Sequence, residues 1–258
     1  MISKLKKLIR TAPLLKHLTL IAHSGNKYTC PFCNYSAKDL FEIGSDVPIL
    51  NEKEVIGGGK RYAGCYKCDS DDRERLIYVY LKEKFDLFRK EKSMKILHIA
   101  PERNLSKKLL DCGFREYICG DLFTPGYRYP VHVQNINILD IPFTENHFDL
   151  IICNHVLEHI PDDLTAMKEL VRVLKRRGQA ILQVPISKSA ITTFEDFSVT
   201  GPKERELAFG QCDHVRIYGQ DYINRLASCG FEVKKINISG EFSKFGLNVD
   251  EEIVIGTK

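Results

Sequence analysis

The sequence predicts an α/β protein, a doubly wound and mostly parallel sheet with a small cysteine-rich module ahead of it. Two observations predict this. From residue 95 onward, short apolar runs alternate with helix-like segments to the end of the chain, the pattern of strand–helix–strand units. Before that region four cysteines fall into two C-x-x-C pairs, Cys30 with Cys33 and Cys65 with Cys68, separated by 31 residues. The length of 258 residues suits one large domain with an appendage.

Taken in order, residues 1–23 place Ile2, Leu5, Leu8, Ile9, Leu15, Leu18 and Leu20 at helical spacing, with Pro13 interrupting. Residues 28–70 are rich in glycine, cysteine and tyrosine, and Gly57-Gly58-Gly59 forms a loop tip. Residues 71–92 read as a helix with carboxylates at its start and Lys/Arg at its end, as the helix dipole favours. Strands are expected at 95–100, 117–122, 131–138, 148–156, 179–184, 231–238 and 253–256, seven in all. The run FDLIICNHV at 148–156 is nearly continuous in apolar residues, as in a parallel sheet covered on both faces. Helices are expected at 105–112, 164–177 and 220–228; Pro161 and Asp162 open the second, and Gly178 closes it. Residues 187–218 show no clear periodicity. The boundaries implied are a basic lead-in helix over 1–27, a cysteine module with its linking helix over 28–92, and a sheet domain over 93–258.

Hydrophobic residues at 43% and charged residues at 28% are ordinary for a globular chain. The net charge of +4 excludes a histone-like or strongly acidic partner strategy, but it is unevenly spread. Residues 1–92 carry +6 and residues 93–258 carry −2; residues 1–29 hold six basic side chains and no acid. The chain has nine cysteines, and the five outside the pairs are single. That usage argues against a secreted disulfide scaffold and for a metal site in a reducing compartment. With no signal-peptide pattern and no apolar run of membrane-spanning length, the cytoplasm is the expected location. Two tight turns each presenting two thiols complete a tetrahedron around Zn²⁺ and leave no open position, so Cys30, Cys33, Cys65 and Cys68 are expected to hold structural zinc. An iron–sulfur cluster is the other four-thiolate option. Close by, Arg73 and Arg75 either reach the thiolates, face a substrate anion or lie on a solvated helix face.

Residues 95–258 resemble class I S-adenosylmethionine-dependent methyltransferases, especially the branch acting on small molecules. The resemblance is carried by ILHIAPERN (96–104), ICGDL (118–122), NILDIPFTENHFDLIICNHVLEHIPD (137–162), LKRRGQAILQVPI (174–186) and DYINRLASCGFEV (221–233). It implies a seven-stranded Rossmann-like sheet with S-adenosylmethionine bound beyond the carboxyl ends of the strands. The first turn departs from the family, having no glycine and a histidine, His98, in the acidic place. Ala100 and Pro101 then shape the turn, Glu102 supplies a carboxylate for the cofactor's ammonium, and Asn104 caps the next helix. Asp121, followed by Leu122, is placed to accept the ribose hydroxyls. Asp140 and Ile141 stand where the family reads adenine, and Asn154 and His155 where the sulfonium lies.

Transfer to a hydroxyl needs a base, and His155 and His214 are the candidates. His159, Arg216 and Tyr218 are expected to line the acceptor pocket built by the long insertion. The acceptor is expected to be a small molecule or glycan methylated at oxygen. An rRNA-modifying enzyme, or a non-catalytic zinc-stabilised interaction module, are the alternatives. Residues 1–23 either contact an anionic membrane surface peripherally or pack on the zinc module.

Overall fold

The computed structural model describes residues 13–89 and 92–258. Helix α1 (Pro13–Ala22) leads into β1 (Ser24–Thr29), which pairs antiparallel with β2 (Ser36–Ala37). Strand β3 (Phe41–Ile43), helix α2 (Pro48–Glu52), β4 (Val55–Ile56) and β5 (Arg61–Gly64) follow, and β3 pairs antiparallel with β5. Helix α3 (Asp72–Val79) runs on into one wider, π-type turn over Tyr80–Lys84 and stops there, so the helix expected over 71–92 is shorter than its charge pattern suggests.

The main sheet comprises β6 (Lys95–Ile99), β7 (Glu116–Asp121), β8 (Val133–Asn135), β9 (Phe148–Cys153) and β10 (Leu174–Ile181), with α4 (Arg103–Leu110) and α5 (Asp163–Val173) as crossovers. The insertion holds β11 (Ile186–Ser187), β12 (Phe194–Glu195), α6 (Pro202–Phe209) and β13 (Arg216–Ile217). Helix α7 (Tyr222–Ser228), β14 (Glu232–Ile236) and β15 (Ile253–Thr257) complete the chain. The strand order is β14-β15-β10-β9-β6-β7-β8. The five strands β6 to β10 are mutually parallel, and β15 runs antiparallel between β10 and β14. The seven-stranded, mostly parallel sheet expected from the alternation is therefore present.

Side chains alternate across the central strands with a period of two. Leu97, Ile99, Ile151 and Cys153 face a core shared with α5 and α7. Ile96, Leu150 and Ile152 face a second core, which also contains Cys30, Phe32, Cys65 and Leu76. The cysteine module is thus packed on one face of the sheet and shares its apolar interior. A second tie is β4, which pairs antiparallel with β11 of the insertion: Ile56 opposes Ile186 and Val55 opposes Ser187.

Several boundaries move. Helix α5 ends at Val173 and the chain passes directly into β10, so Gly178 lies within a strand irregularity and does not close the helix. Arg177 there takes a φ of 63°, and its amide donates to Lys258. The third strand is only three residues long. Pro13 stands at the start of the described part of α1. None of the residues of α1 is buried, and Leu14, Leu18 and Ile21 stay largely exposed, so its apolar face does not pack on the cysteine module; Tyr35 instead holds the helix end by donating to the Leu20 carbonyl at 2.6 Å. The rest of the lead-in, residues 1–12, lies outside the described residues. No helix among the described residues is long and apolar enough to cross a membrane.

Arg75 fixes the module on the sheet. It is 1% exposed and donates to the carbonyls of Ser70, Ala63, Phe245 and Gly246, each at 2.8 Å. Replacing it strands several buried acceptors at once. Arg75→Met is expected to cost about 3 kcal/mol or more, read as a lowered urea midpoint with an unchanged slope.

Candidate active site

The four module cysteines converge. Cys30 Sγ lies 3.5 Å from Cys68 Sγ, Cys33 Sγ lies 3.7 Å from Cys65 Sγ, and all four sulfurs fall within 4.8 Å of one another. The two turns are built alike. In each, the amide of the residue after the second cysteine donates to the first cysteine's carbonyl (Asn34 to Cys30, Asp69 to Cys65), and both residues take a left-handed φ, 56° and 61°. The Ser70 hydroxyl sits 3.3 Å from Cys30 Sγ and Cys68 Sγ. Tetrahedral thiolates at about 2.3 Å from a metal would stand just under 4 Å apart, so the cluster is of the right size for Zn²⁺.

Four consecutive residues of α3 then reach four different places, because each helical residue turns about 100° from the last. Asp72 accepts two 2.7 Å bonds from Arg61, whose guanidinium also donates to the Gly59 carbonyl at 3.1 Å and so pins the triple-glycine loop. That loop needs glycine opposite it as well: Gly44 has φ +80°, and a Cβ there would meet Gly59 O at 2.0 Å. Arg73 points a nitrogen at His155 Nδ1, 3.2 Å away. Glu74 accepts from the amides of Asn104 (2.6 Å) and Leu105 (2.8 Å) and from the Asn104 side chain. It therefore caps α4 from another element, which displaces the expected capping role of Asn104; Asn104 is already inside the helix. Arg75 is committed to carbonyls. Neither arginine contacts a thiolate, and Asp72, Glu74 and Arg75 are buried, so this is no solvated face.

At the carboxyl end of β6, Ala100 takes a left-handed φ of 47° and donates its amide to Gly120 O at 2.7 Å. The expected glycine conformation is thus kept by an alanine, at a cost of about 1 kcal/mol. Beyond it, Glu102 accepts from His98 Nε2 (2.6 Å) and from Asn154 Nδ2 (2.9 Å). His98 is fully buried, and its Nδ1 lies 2.8 Å from the Tyr117 hydroxyl. Burial raises the Glu102 carboxyl, but the His98 charge and these hydrogen bonds outweigh it and hold the group below its ordinary value. Asn154 Oδ1 is buried and has no partner among the described residues. Asp121, pushed up by burial, borders a cavity of about 420 Å³ together with Pro101, Arg103, Tyr129 and His132. Ala100, Pro101, Glu102, Asp121 and Asn154 thus share one sheet edge. Leu122 and Asp140 are exposed and border none of the cavities described, and Ile141 is a core residue whose amide donates to Glu169; these three are not brought to the cluster.

A second cavity, about 250 Å³, lies between the end of β9, the insertion and the glycine loop; Arg73, His155, Glu158, His159 and His214 line it. His155 also adopts a left-handed φ, 54°. A guanidinium only donates, so His155 Nδ1 accepts from Arg73 and the neutral ring carries its proton on Nε2. That tautomer leaves an Nε2 proton with no partner among the described residues, although the same Nδ1 also lies 3.5 Å from Glu158 Oε1. His214 Nδ1 donates to Phe209 O at 3.3 Å, leaving Nε2 with a free lone pair, and burial pushes its imidazolium below the usual value. His159 Nδ1 lies 3.3 Å from Asp213; burial disfavours its charge, but the Asp213 pairing raises it overall. Of the two remaining residues expected in the acceptor pocket, Arg216 borders this cavity with its guanidinium committed elsewhere, and Tyr218 does not border it. Arg216 is fully buried and donates to the carbonyls of Leu157, Ile160 and Pro161 and to Glu195. Tyr218 is fully buried with its hydroxyl on Asp163 at 2.7 Å. Both staple the insertion to the turn after β9. Sequence reasoning missed the roles of Glu74, whose partner Asn104 lies 30 residues away, of Arg61, whose partner Asp72 lies 11 away, and of the buried Glu158.

Residues 105–182 match the family described as a methyltransferase domain. The matched segment runs from α4 to just past β10. An uncharacterized protein of Methanocaldococcus jannaschii is 43% identical over 65 residues, 24% of this chain and 28% of that one. A demethylmenaquinone methyltransferase of Bacillus licheniformis is 40% identical over 45 residues, 17% of this chain and 19% of that one. The chain therefore spans less than a third of the length of these curated relatives. A solved structure of a SAM dependent methyltransferase from Archaeoglobus fulgidus aligns at 12% identity with a TM-score of 0.46, over 72% of this chain and 94% of that one.

The left-handed alanine gives a direct test of the turn. Ala100→Gly is expected to raise the stability by about 1 kcal/mol, seen as a higher melting temperature; Ala100→Val is expected to lower it.

Proposed function

We propose that the chain is an S-adenosylmethionine-dependent methyltransferase that methylates an oxygen of a small molecule or glycan, with structural zinc in its four-cysteine site. The observation that carries the reading is the methyltransferase-domain match over 105–182, the segment whose strand ends supply Asp121, Asn154 and His155. Bound there, S-adenosylmethionine supplies an electrophilic methyl group on a sulfonium. The half-buried Glu102 carboxylate and the unpaired, buried Asn154 Oδ1 belong to neighbouring side chains, a pair of acceptors that suits the cofactor's ammonium. Asp121 is suited to the ribose hydroxyls, at the mouth of the larger cavity. Transfer is an in-line displacement, so alignment and exclusion of water contribute most of the acceleration. The glycine loop, held by Arg61, and the insertion wall off the smaller cavity. There His155 would donate from Nε2 to an acceptor oxygen, and the His214 lone pair would take the hydroxyl proton. The small volume of that cavity, and a relative whose name specifies demethylmenaquinone, favour a small acceptor over RNA.

Zinc is favoured by a charge argument as well as by the sulfur spacing. Four thiolates around Zn²⁺ leave a net charge of about −2. Arg75 borders the same small cavity as Cys30 and Cys65 and has no carboxylate within ion-pair reach among the described residues, so its buried charge finds a counter-charge only there.

Calorimetric titration with S-adenosylmethionine is expected to show one site per chain. Asp121→Ala and Glu102→Ala should each weaken it about 10- to 100-fold, the worth of a charged hydrogen bond. Absence of binding to the wild-type chain would favour the non-catalytic module instead. Elemental analysis is expected to find zinc bound by these thiolates, and Cys65→Ser or chelation to remove it with a clear fall in melting temperature.

A further inference from the structure

The cavity side of the turn after β9 holds a group of side chains that the methyl-transfer reading uses only in part. Glu158, His159 and His214 each place a ligand-type atom within 4.8 Å of the others. They come from two elements fixed against each other: the short turn Leu157–His159, and the return of the insertion, whose Val215 amide donates to Glu158 O at 3.0 Å. Glu158 and His214 are buried, at 2% and 8% exposure, and His159 is partly open toward the cavity.

With both rings neutral, their hydrogen bonding leaves three lone pairs and no proton to share. His159 Nδ1 is taken by the Asp213 carboxylate, and His214 Nδ1 by the Phe209 carbonyl. Each ring nitrogen that faces such an acceptor carries the proton, so Nε2 of each ring is a free acceptor. Glu158 Oε1 lies 3.5 Å from His155, whereas Oε2 is buried with no partner among the described residues. A buried carboxylate oxygen without a donor, next to two imidazoles that are themselves acceptors, is costly unless something positive sits among them. Imidazoles whose far nitrogens are held by a carboxylate and a backbone carbonyl are oriented as metal-binding histidines are.

We propose that Glu158, His159 and His214 bind a first-row divalent cation, distinct from the four-cysteine site. Two imidazoles and one carboxylate leave positions open on the cation, and these face the 250 Å³ cavity. Asp213 and Phe209 act as positioning groups for the two rings. The site itself does not depend on the methyl-transfer reading. Its consequence does: with His214 as ligand, it is not a free base. The cation then holds the acceptor's hydroxyl oxygen and lowers its pKa, so that the proton leaves to solvent. The oxygen's lone pair forms the bond to the methyl carbon, and the carbon–sulfur pair stays on sulfur as a thioether. An acceptor with two neighbouring oxygens, such as a vicinal diol, would suit the open positions.

The test is a Co²⁺ titration of the full chain with zinc already in its cysteine site, followed by visible absorption and calorimetry. The expected result is one further equivalent with the weak absorption of nitrogen and oxygen ligands and no thiolate charge-transfer band. His159→Ala, His214→Ala and Glu158→Gln should each weaken that binding at least tenfold while zinc content is unchanged. No cobalt uptake by the wild-type chain, uptake only with a thiolate band, or uptake indifferent to these substitutions would overturn the proposal. Cobalt binding without S-adenosylmethionine binding would sustain the cation site and remove only the methyl-transfer reading.

Discussion

Arg75 gives one guanidinium to carbonyls on both sides of the boundary between the cysteine module and the sheet: Ser70 and Ala63 from the module, Phe245 and Gly246 from the turn before β15. A buried arginine has five donors in a rigid plane, and four of the acceptors are backbone atoms that cannot rotate away. The arrangement therefore sets an orientation as well as holding two parts together. Once α3 is fixed this way, its preceding residues have no freedom in what they meet. Glu74 falls on the amino end of α4, Arg73 on His155, and Asp72 on the arginine that pins the glycine loop. One turn of helix thus connects the metal-type cluster, the first crossover helix and the walls of the smaller cavity.

The cavities divide the chemistry. Asp121 and Glu102 are carboxylates, Glu102 already engaged with His98 and Asn154, and this end of the sheet receives donors. Around His155 the Arg73 guanidinium, a donor, and the Glu158 carboxylate, an acceptor, face the same ring nitrogen, at 3.2 and 3.5 Å. Two adjacent strand ends, at Ala100 and His155, are held in left-handed conformations by non-glycine residues. Strain at two such neighbouring positions is the kind of cost that packed surroundings must override, and it marks the sheet edge where the groups converge.

The strand–helix alternation was legible because buried parallel strands must be apolar on both faces, and the runs at 95–100 and 148–156 are. The cysteine pairs were legible because spacing alone decides whether two thiols can share an ion. Boundaries were less so. The LKRRGQ segment reads as the end of a helix, yet it is a strand irregularity in which Arg177 takes the positive φ beside the glycine. The roles of Arg73 and Arg75 were out of reach, because a charged residue looks the same in a sequence whether solvent or four distant carbonyls surround it. The bonding of Arg216 and Tyr218 was hidden for the same reason: both belong to the insertion, and only the fold reveals that their polar atoms are taken by the turn after β9 and by Asp163, while Arg216 also borders the cavity. The left-handed φ values after each C-x-x-C, at Asn34 and Asp69, had a signal in hindsight, since asparagine and aspartate tolerate that region better than most residues.

The two-residue pairing of β4 with β11 carries a consequence for descent. One wall of the smaller cavity belongs to the cysteine module and the facing wall to the insertion, and backbone hydrogen bonds join them at Val55–Ile56 and Ile186–Ser187. Neither wall is inherited usefully alone. A sheet domain that acquired a different insertion would lose the register of this pairing, and one that lost the module would open the cavity to water. Acceptor preference in such a chain drifts through coordinated change in two segments some 130 positions apart, so lineages should carry the two as a single heritable block.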